Sequence, residues 1–287
     1  MSTVSDSEKW FHLSRSVYRT QTARAIRRFN DDGIDPILIK GLAIGQLYPE
    51  AHPRESTDID LAVPSFQYEL GRSVAASALD QHLRIDVHNE FRHLDTVGWN
   101  DLFANSAMLD LDGTPVRILR PEDHLRILCT HWLNDGGANR ERLWDIYYAV
   151  DRRTSDFDWD RCLNIVSKNR RRWVICMIGL AHKYLGLEID ELPFADEARE
   201  LPKWLIRSIE REWASNVWLL PIEMVQNATQ LFQQLKKRLP PNPVQATIEM
   251  EGSLDARSRV HYQIGSFIYR LGISIKRISI YRFGRFG

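Results

Sequence analysis

The chain has 287 residues, 44% of them apolar and 26% charged, which is the composition of an ordinary globular protein with one large core or two smaller ones. Its 38 basic and 38 acidic residues cancel to a formal net charge of zero, so no overall field attracts it to nucleic acid or to a membrane. The three cysteines are widely separated and show no C-x-x-C spacing, which argues against a zinc site or a disulfide framework and for a reducing cytoplasm. Neither a secretion signal nor a membrane-spanning run is expected.

The first part of the chain predicts a small mixed sheet with helices. An amphipathic helix is expected over residues 8–30, with an apolar stripe that includes Val17, Ala25, Ile26 and Phe29. An Asp-Asp-Gly turn then leads to a strand at 36–39. Two further strands follow with a helix between them, and a hairpin around Asp112-Gly113 completes the sheet near residue 119. From Arg120 onward strand signals nearly vanish. The predicted fold class is α+β, with a small mixed β-sheet domain over residues 1–119 followed by an all-helical domain over residues 120–287.

The most informative feature of the sequence is the Asp-Ile-Asp motif of the second strand. Side chains alternate along a strand, so Asp58 and Asp60 are expected on one face and the apolar residues on the other. Two neighbouring carboxylates repel each other, and burial raises their pKa values. A divalent cation removes both costs, and Mg²⁺ favours one or two carboxylates together with substrate phosphates. The motif therefore predicts a metal–phosphate site, although Asp-x-Asp also occurs on solvated edge strands.

Residues on both sides of this motif strengthen that prediction. Lys40 and Gly41 stand at a strand-to-helix junction, where a glycine lets the backbone approach a ligand and the helix N-terminus offers N–H groups to phosphate. Downstream, Asp86 and His88 share one face of another strand, and Asp86 supplies the third carboxylate that two-metal phosphoryl chemistry needs. Arg54, in the loop before the motif, is placed to contact phosphate oxygens bidentately, with a solvated loop arginine as the alternative.

The combination of motifs resembles the uncharacterised nucleotidyltransferase family within the DNA polymerase beta-like superfamily. The resemblance covers about residues 30 to 190, and the motifs that carry it are Lys40-Gly41, the loop with Tyr48 and Arg54, Asp-Ile-Asp-Leu at 58–61, Ile-Asp-x-His at 85–88, the segments 121–125, 143–146 and 158–159, and His131. Two features depart from the superfamily. Its usual Gly-Ser is Gly41-Leu42 here, so the serine hydroxyl is missing, and the segment between Asp60 and Asp86 is short.

The resemblance and the residues together predict a nucleotidyltransferase that uses Mg²⁺ or Mn²⁺ and moves an NMP group from an NTP to a hydroxyl of an acceptor. The acceptor can be a sugar, a small metabolite, a peptide or a protein. A long nucleic acid template is not expected, because a neutral chain lacks a sustained basic groove. Two alternatives stay open. One is a catalytically inactive descendant that binds a nucleotide or a partner, and the other is a phosphotransferase that uses the same site.

Seven residues form the predicted site: the metal-binding and catalytic Asp58, Asp60 and Asp86, the nucleotide-binding Lys40, Gly41 and Arg54, and His88. Asp86 is expected to share a metal and to activate the acceptor hydroxyl as general base, with His88 orienting Asp86 or the acceptor. The missing serine favours the inactive alternative, whereas the retention of all three acids argues against it.

Several other features have a functional and a structural interpretation. His124 and His131 are expected on roughly one helix face, where they serve either as ligands or acceptor contacts or as structural histidines hydrogen-bonded between helices. Asp145 is expected to accept a buried hydrogen bond, for which His131 is a candidate donor. The basic run 168–172 is expected between two helices, facing nucleic acid, a phosphorylated acceptor or solvent. Residues 257–285 carry seven basic and no acidic residues, and apolar residues that include Ile264 and Ile268 form a stripe among them at helical spacing. This pattern fits contact with a membrane surface or a partner, or a final helix docked on its own core.

Overall fold

The computed structural model describes residues 6–56, 58–78, 84–92, 94–215, 217, 219–220 and 224–283, and within these ranges it describes side chains from residue 14 to residue 272. The chain divides into two compact units. One comprises residues 1–128 and 145–166, and the other comprises residues 129–144 and 167–287. The predicted division into domains at residue 119 stays a prediction, since these compact units have different bounds.

The first unit contains a five-stranded mixed sheet. Its elements are α1 (Asp6–Asp31), β1 (Ile37–Leu38), α2 (Leu42–Gly45), β2 (Ile59–Val63), α3 (Tyr68–Ala78), β3 (Ile85–Asn89), α4 (Trp99–Ala104), β4 (Ala107–Leu111) and β5 (Thr114–Ile118). The strand order is β3-β2-β1-β5-β4. Strand β1 is antiparallel to β2 and parallel to β5, while β2 and β3 are parallel. The predicted α+β class with a mixed sheet is confirmed.

The predicted hairpin is also confirmed, because β4 and β5 pair antiparallel around a two-residue turn. Asp112 and Gly113 have φ angles of 54° and 81°. Positive φ at both central residues is the geometry whose twist matches that of the flanking strands.

Helix α1 covers one face of the sheet, as expected, but with a different apolar stripe. Ala25, Ile26 and Phe29 are buried as predicted, whereas Val17 is 45% exposed and Tyr18 is buried instead. Residues spaced four, seven, eight and eleven positions apart lie on one face of a helix. Tyr18 has this spacing from four buried residues: Thr22, Ala25, Ile26 and Phe29. With α3 and alternate residues of the strands, this face of α1 forms a hydrophobic cluster.

The second cluster lies on the opposite side of the strands. It contains Ile37, Ile39 and Ala62 from the strand region, together with Leu102 of α4 and Ile127 of α5 (Pro121–Asn134). Both sides of the central strands are therefore covered, and all five residues of β2 are buried. A carboxylate on β2 is consequently held in a rigid and largely dehydrated setting.

The sheet brings the predicted motifs together at one place. Leu38 at the end of β1 pairs with Leu61, and the next amide, of Ile39, donates to the carbonyl oxygen of Asp60 at 3.1 Å. On the other side of β2, the parallel register places Asp60 opposite Asp86. The predicted pairing of the two acidic strands is confirmed.

The rest of the described chain is helical. Its elements after α5 are α6 (Leu143–Asp151), α7 (Trp159–Leu163), α8 (Lys168–Leu185), α9 (Ala195–Arg199), α10 (Lys203–Trp213), α11 (Ala228–Arg238), α12 (Pro243–Glu249) and α13 (Val260–Phe283). The predicted helical C-terminal part is confirmed, and no strand follows residue 118 within the ranges described. The short helices α9 and α12 were not predicted, because each is too short to show an apolar period.

The basic run at 168–172 was predicted between two helices, and this is wrong. The run forms the first turns of α8, where Ser167 caps the helix by accepting a hydrogen bond from the amide of Arg170. Arg170 pairs with Glu251, Arg171 with Glu197 at 2.7 Å, and Arg172 with Asp255 at 3.0 Å. These three charges are used in ion pairs within the second unit, which favours a structural role over contact with nucleic acid.

Helix α13 contacts α12 through polar groups and exposes apolar ones. Ser266 donates to Glu249 at 2.6 Å, and Arg270 forms an ion pair with the same carboxylate at 2.7 Å. Ile264 and Ile268, two residues of the predicted apolar stripe, are more than half exposed. Contact of residues 257–285 with a membrane surface or a partner stays a prediction, and the side chains from residue 273 onward lie outside the described part. Among the helices described, none is long and apolar enough to cross a membrane.

Candidate metal and nucleotide site

Two carboxylates and an imidazole meet where β2 and β3 pair. One ligand atom each from Asp60, Asp86 and His88 can be chosen so that all three lie within 4.8 Å of one another. His88 Nε2 lies 3.1 Å from Asp60 Oδ1 and 3.5 Å from Asp86 Oδ2, so the ring stands between the two carboxylates. Asp60 is 4% exposed, whereas Asp86 is open to solvent. A buried and an accessible carboxylate therefore share one place on the sheet.

Lys40 joins this group from the end of β1. Its Nζ atom lies 2.8 Å from Asp60 Oδ1, and the two side chains are 14% and 5% exposed. Burial by itself raises the pKa of Asp60, but the hydrogen bond with His88 and the charge of Lys40 outweigh it and leave the pKa below its usual value. Burial and repulsion between carboxylates, the two effects expected from the sequence, would by themselves raise this pKa. The structure instead shows a lowered pKa, because Lys40 supplies a positive charge and His88 a hydrogen bond.

Asp58 does not belong to this group. Strand β2 begins at Ile59, so the strict alternation that would place Asp58 beside Asp60 does not extend to it. Its carboxylate is exposed, and its backbone carbonyl accepts a 2.6 Å hydrogen bond from the hydroxyl of Tyr18 on α1. Asp58 is therefore anchored through its backbone and is an exposed residue.

The conformation of Gly41 has a structural cause. Its φ of 59° and ψ of −117° lie in a region that residues with a Cβ rarely adopt. A Cβ at this position would stand 2.2 Å from the Tyr18 hydroxyl oxygen, well inside van der Waals contact. Gly41 and Tyr18 thus depend on each other, and a close approach of the Gly41 backbone to phosphate stays a prediction.

Arg54 is turned away from solvent and bound to Asp145. Its Nε and Nη2 atoms donate to the two oxygens of Asp145 at 2.7 and 2.9 Å, and Nη1 donates to Ser56 at 2.5 Å. Tyr48 donates to the same carboxylate at 2.6 Å. Both charged side chains of the pair are 5% exposed. From the sequence, Arg54 was expected either in solvent or facing phosphate. The structure instead shows a buried bidentate ion pair with Asp145, and a nucleotide contact of Arg54 stays a prediction.

The remaining candidates occupy structural positions. His124 is buried, and this burial lowers its pKa to about 4 despite a hydrogen bond with the Ile39 backbone. Its Nε2 atom has no hydrogen-bond partner among the described residues. His131 is partly exposed and lies 3.4 Å from Asp135. A neutral buried imidazole with one bonded nitrogen suits packing better than ligation of a metal.

Comparison with known proteins bears on this site. Residues 5–78 match the model of an uncharacterised nucleotidyltransferase family. The match confirms the family resemblance seen in the motifs, and it includes five of the seven predicted site residues, while Asp86 and His88 lie beyond it. No curated protein and no solved structure matches the chain. The match supports a nucleotidyltransferase as the general function.

Two further residues help to hold the surroundings of this candidate site: Tyr18, which the sequence analysis missed, and Asp145, whose structural role it expected. Tyr18 bridges the Gly41 turn and Asp58, and burial raises its pKa to about 12. Asp145 was expected to accept a buried hydrogen bond, and it does so from Tyr48 and Arg54. A signal for Tyr18 was available, because a polar aromatic residue on the inward face of a helix needs a partner for its hydroxyl.

The donor set also fits the cofactor that such an enzyme uses. Carboxylate oxygens suit Mg²⁺ and Mn²⁺, and both ions accept one or two protein carboxylates together with phosphate oxygens and water. Asp60 and Asp86 supply such oxygens side by side. The His88 nitrogen is a weaker match for Mg²⁺, and it orients the carboxylates in the structure described here.

Proposed function

We propose that the chain is a nucleotidyltransferase that depends on Mg²⁺ or Mn²⁺ and moves an NMP group from an NTP to a hydroxyl of an acceptor. The observation that carries the proposal is the register of β2 and β3, which sets Asp60 opposite Asp86, with Lys40 beside them. The family match supports the same reaction class. The acceptor is a sugar, a small metabolite, a peptide or a protein.

In this reaction Asp60 and Asp86 would hold the metal, and Asp58 is a further candidate ligand. The bound ion would neutralise the triphosphate and the departing pyrophosphate. Asp86 would accept the proton of the acceptor hydroxyl, whose oxygen then bonds to the α-phosphorus as the bond to pyrophosphate breaks. Its exposure suits this role, because the acceptor must reach it from solvent.

The nearby basic groups would serve the phosphates. Lys40 carries the cationic group seen beside Asp60, and a flexible lysine can follow a phosphate oxygen as a point charge. Arg54 would act through the loop that it holds in place, since its guanidinium is committed to Asp145. Most of the catalysis would come from positioning and charge neutralisation, as phosphoryl transfer generally requires.

One observation favours a second candidate, the catalytically inactive descendant. Lys40 forms an ion pair with Asp60, the most buried carboxylate of the group, and such a pair neutralises the site without a metal. The missing serine at position 42 points in the same direction. A phosphotransferase that moves the γ-phosphoryl group would use the same side chains.

Label transfer separates these three functions. The purified protein would be incubated with Mg²⁺ or Mn²⁺, a fractionated cell extract as the source of acceptor, and each NTP labelled at either the α- or the γ-phosphate. The proposal predicts transfer of the α-label alone, which is lost in a variant with Asp60→Asn and Asp86→Asn. Transfer of the γ-label would indicate a phosphotransferase, and no transfer of either label would favour the inactive descendant.

A further inference from the structure

The chain places its own cation on the oxygen that a metal would need. Lys40 Nζ and His88 Nε2 both lie within hydrogen-bonding distance of Asp60 Oδ1, at 2.8 and 3.1 Å. A carboxylate oxygen only accepts, so both nitrogens act as donors to it. Asp60 Oδ1 is thus already bound by two donors, one of which is charged.

The two donors on Asp60 weaken the binding of a metal ion to this site. An ion that binds Asp60 Oδ1 must take the place of the Lys40 ammonium or stand a few ångströms from it. The Lys40 and Asp60 side chains are only 14% and 5% exposed, so water screens their charges weakly. The attraction between Lys40 and Asp60 is therefore stronger than on the surface, and so is the repulsion between the Lys40 ammonium group and a divalent ion. Binding of a metal alone to Asp60 and Asp86 therefore breaks the ion pair between Lys40 and Asp60 without replacing it.

A phosphate ligand changes this balance. Lys40 directly precedes Gly41 at the end of β1, and its four-carbon side chain can swing its ammonium group to a new anion. A triphosphate that arrives with the metal offers that anion. The ion pair lost at Asp60 is then replaced by one between Lys40 and the ligand.

We propose that Lys40 is a built-in counter-ion of Asp60, which a divalent cation displaces, so that the site takes up the metal together with an anionic phosphate ligand and binds metal alone weakly. The inference rests on the proposed metal-dependent function and adds the order of events at the same site. It also accounts for a neutralised carboxylate in a protein that uses metal.

The test measures Mn²⁺ binding without nucleotide, by electron paramagnetic resonance of free Mn²⁺ and by calorimetry. Lys40→Met removes the charge and keeps the length of the side chain, and Lys40→Gln serves as a second neutral variant if the first does not fold. Both should bind Mn²⁺ at least about tenfold more tightly than the native protein, because a cation next to the metal position is gone. Lys40→Arg, which keeps the charge, should bind as weakly as the native protein.

Two controls make the result specific. Arg19→Met removes one positive charge from an exposed ion pair with Asp112 and should leave Mn²⁺ affinity unchanged. Adding Asp60→Asn to Lys40→Met should abolish the gain. Equal or weaker Mn²⁺ binding in both neutral variants would overturn the role of Lys40 while leaving the metal site standing. If neither the native protein nor these variants binds Mn²⁺, with nucleotide or without, the proposed function falls together with the inference.

Discussion

Replacing Arg54 tests whether this residue is a structural part of the first unit. Arg54→Ala would leave the Asp145 carboxylate, 5% exposed, without the two charge-assisted hydrogen bonds of 2.7 and 2.9 Å that it now accepts. At roughly 1.5–3 kcal/mol for each such bond, the free energy of unfolding should fall by about 3–6 kcal/mol. Removing one partner of a buried ion pair generally costs about 3–5 kcal/mol, which agrees.

The assay is denaturant unfolding without nucleotide or metal, together with a thermal scan in which the midpoint should fall by about 6–24 °C. A matched control is Arg19→Ala, which breaks an exposed arginine–aspartate pair and should cost less than about 1 kcal/mol. Arg54→Met combined with Asp145→Asn removes both charges and should regain part of the loss. If Arg54→Ala is as stable as the Arg19→Ala control, the ion pair does not hold the loop, and the guanidinium is free to serve a phosphate.

Three further results are expected. Gly41→Ala should destabilise the protein because its methyl group meets the Tyr18 hydroxyl, and Tyr18→Phe should relieve part of that loss in denaturant unfolding; a Gly41→Ala protein as stable as the native one would refute the contact. Folding lowers the pKa of Asp60, so the contribution of this carboxylate to stability is present above about pH 4 and is lost as the pH falls through its pKa in the folded state. The difference in unfolding free energy between the native protein and Asp60→Asn should therefore narrow below about pH 4. A difference that widens there contradicts the ion pair. Asp86→Asn should retain nucleotide binding in calorimetry but lose transfer by about a hundredfold or more, and near-normal turnover would exclude Asp86 as the base.

Much of the fold could be predicted because it follows from local patterns. Alternating apolar residues gave β2 and β3, and the Asp112-Gly113 dipeptide gave the hairpin between β4 and β5, since few other residue pairs adopt positive φ at both positions. Periodic apolar residues gave the long helices. The start of α8 was misplaced because none of its first five residues is apolar and four of them are basic. The partners of the three arginines come from distant parts of the sequence.

The candidate site divides in the same way. The meeting of Asp60 and Asp86 follows from two strand patterns and one pairing, which a sequence can suggest. The ion pairs of Lys40 with Asp60 and of Arg54 with Asp145 join residues 20 and 91 positions apart, and each depends on packing that no local pattern contains. The sequence showed which side chains were available for chemistry. It did not show which of them the chain would pair with each other.

The central claim is that Asp60 and Asp86 form a metal–triphosphate site, and a crystal grown with Mn²⁺ and a non-hydrolysable NTP analogue tests it most directly. Anomalous scattering distinguishes Mn²⁺ from water and from the lighter atoms of the protein. The account predicts a Mn²⁺ peak bonded to the carboxylates of Asp60 and Asp86 and to phosphate oxygens, with Lys40 moved from Asp60 to the triphosphate. An analogue bound elsewhere, or a site in which Lys40 still pairs with Asp60 and no Mn²⁺ lies between the two carboxylates, would contradict it.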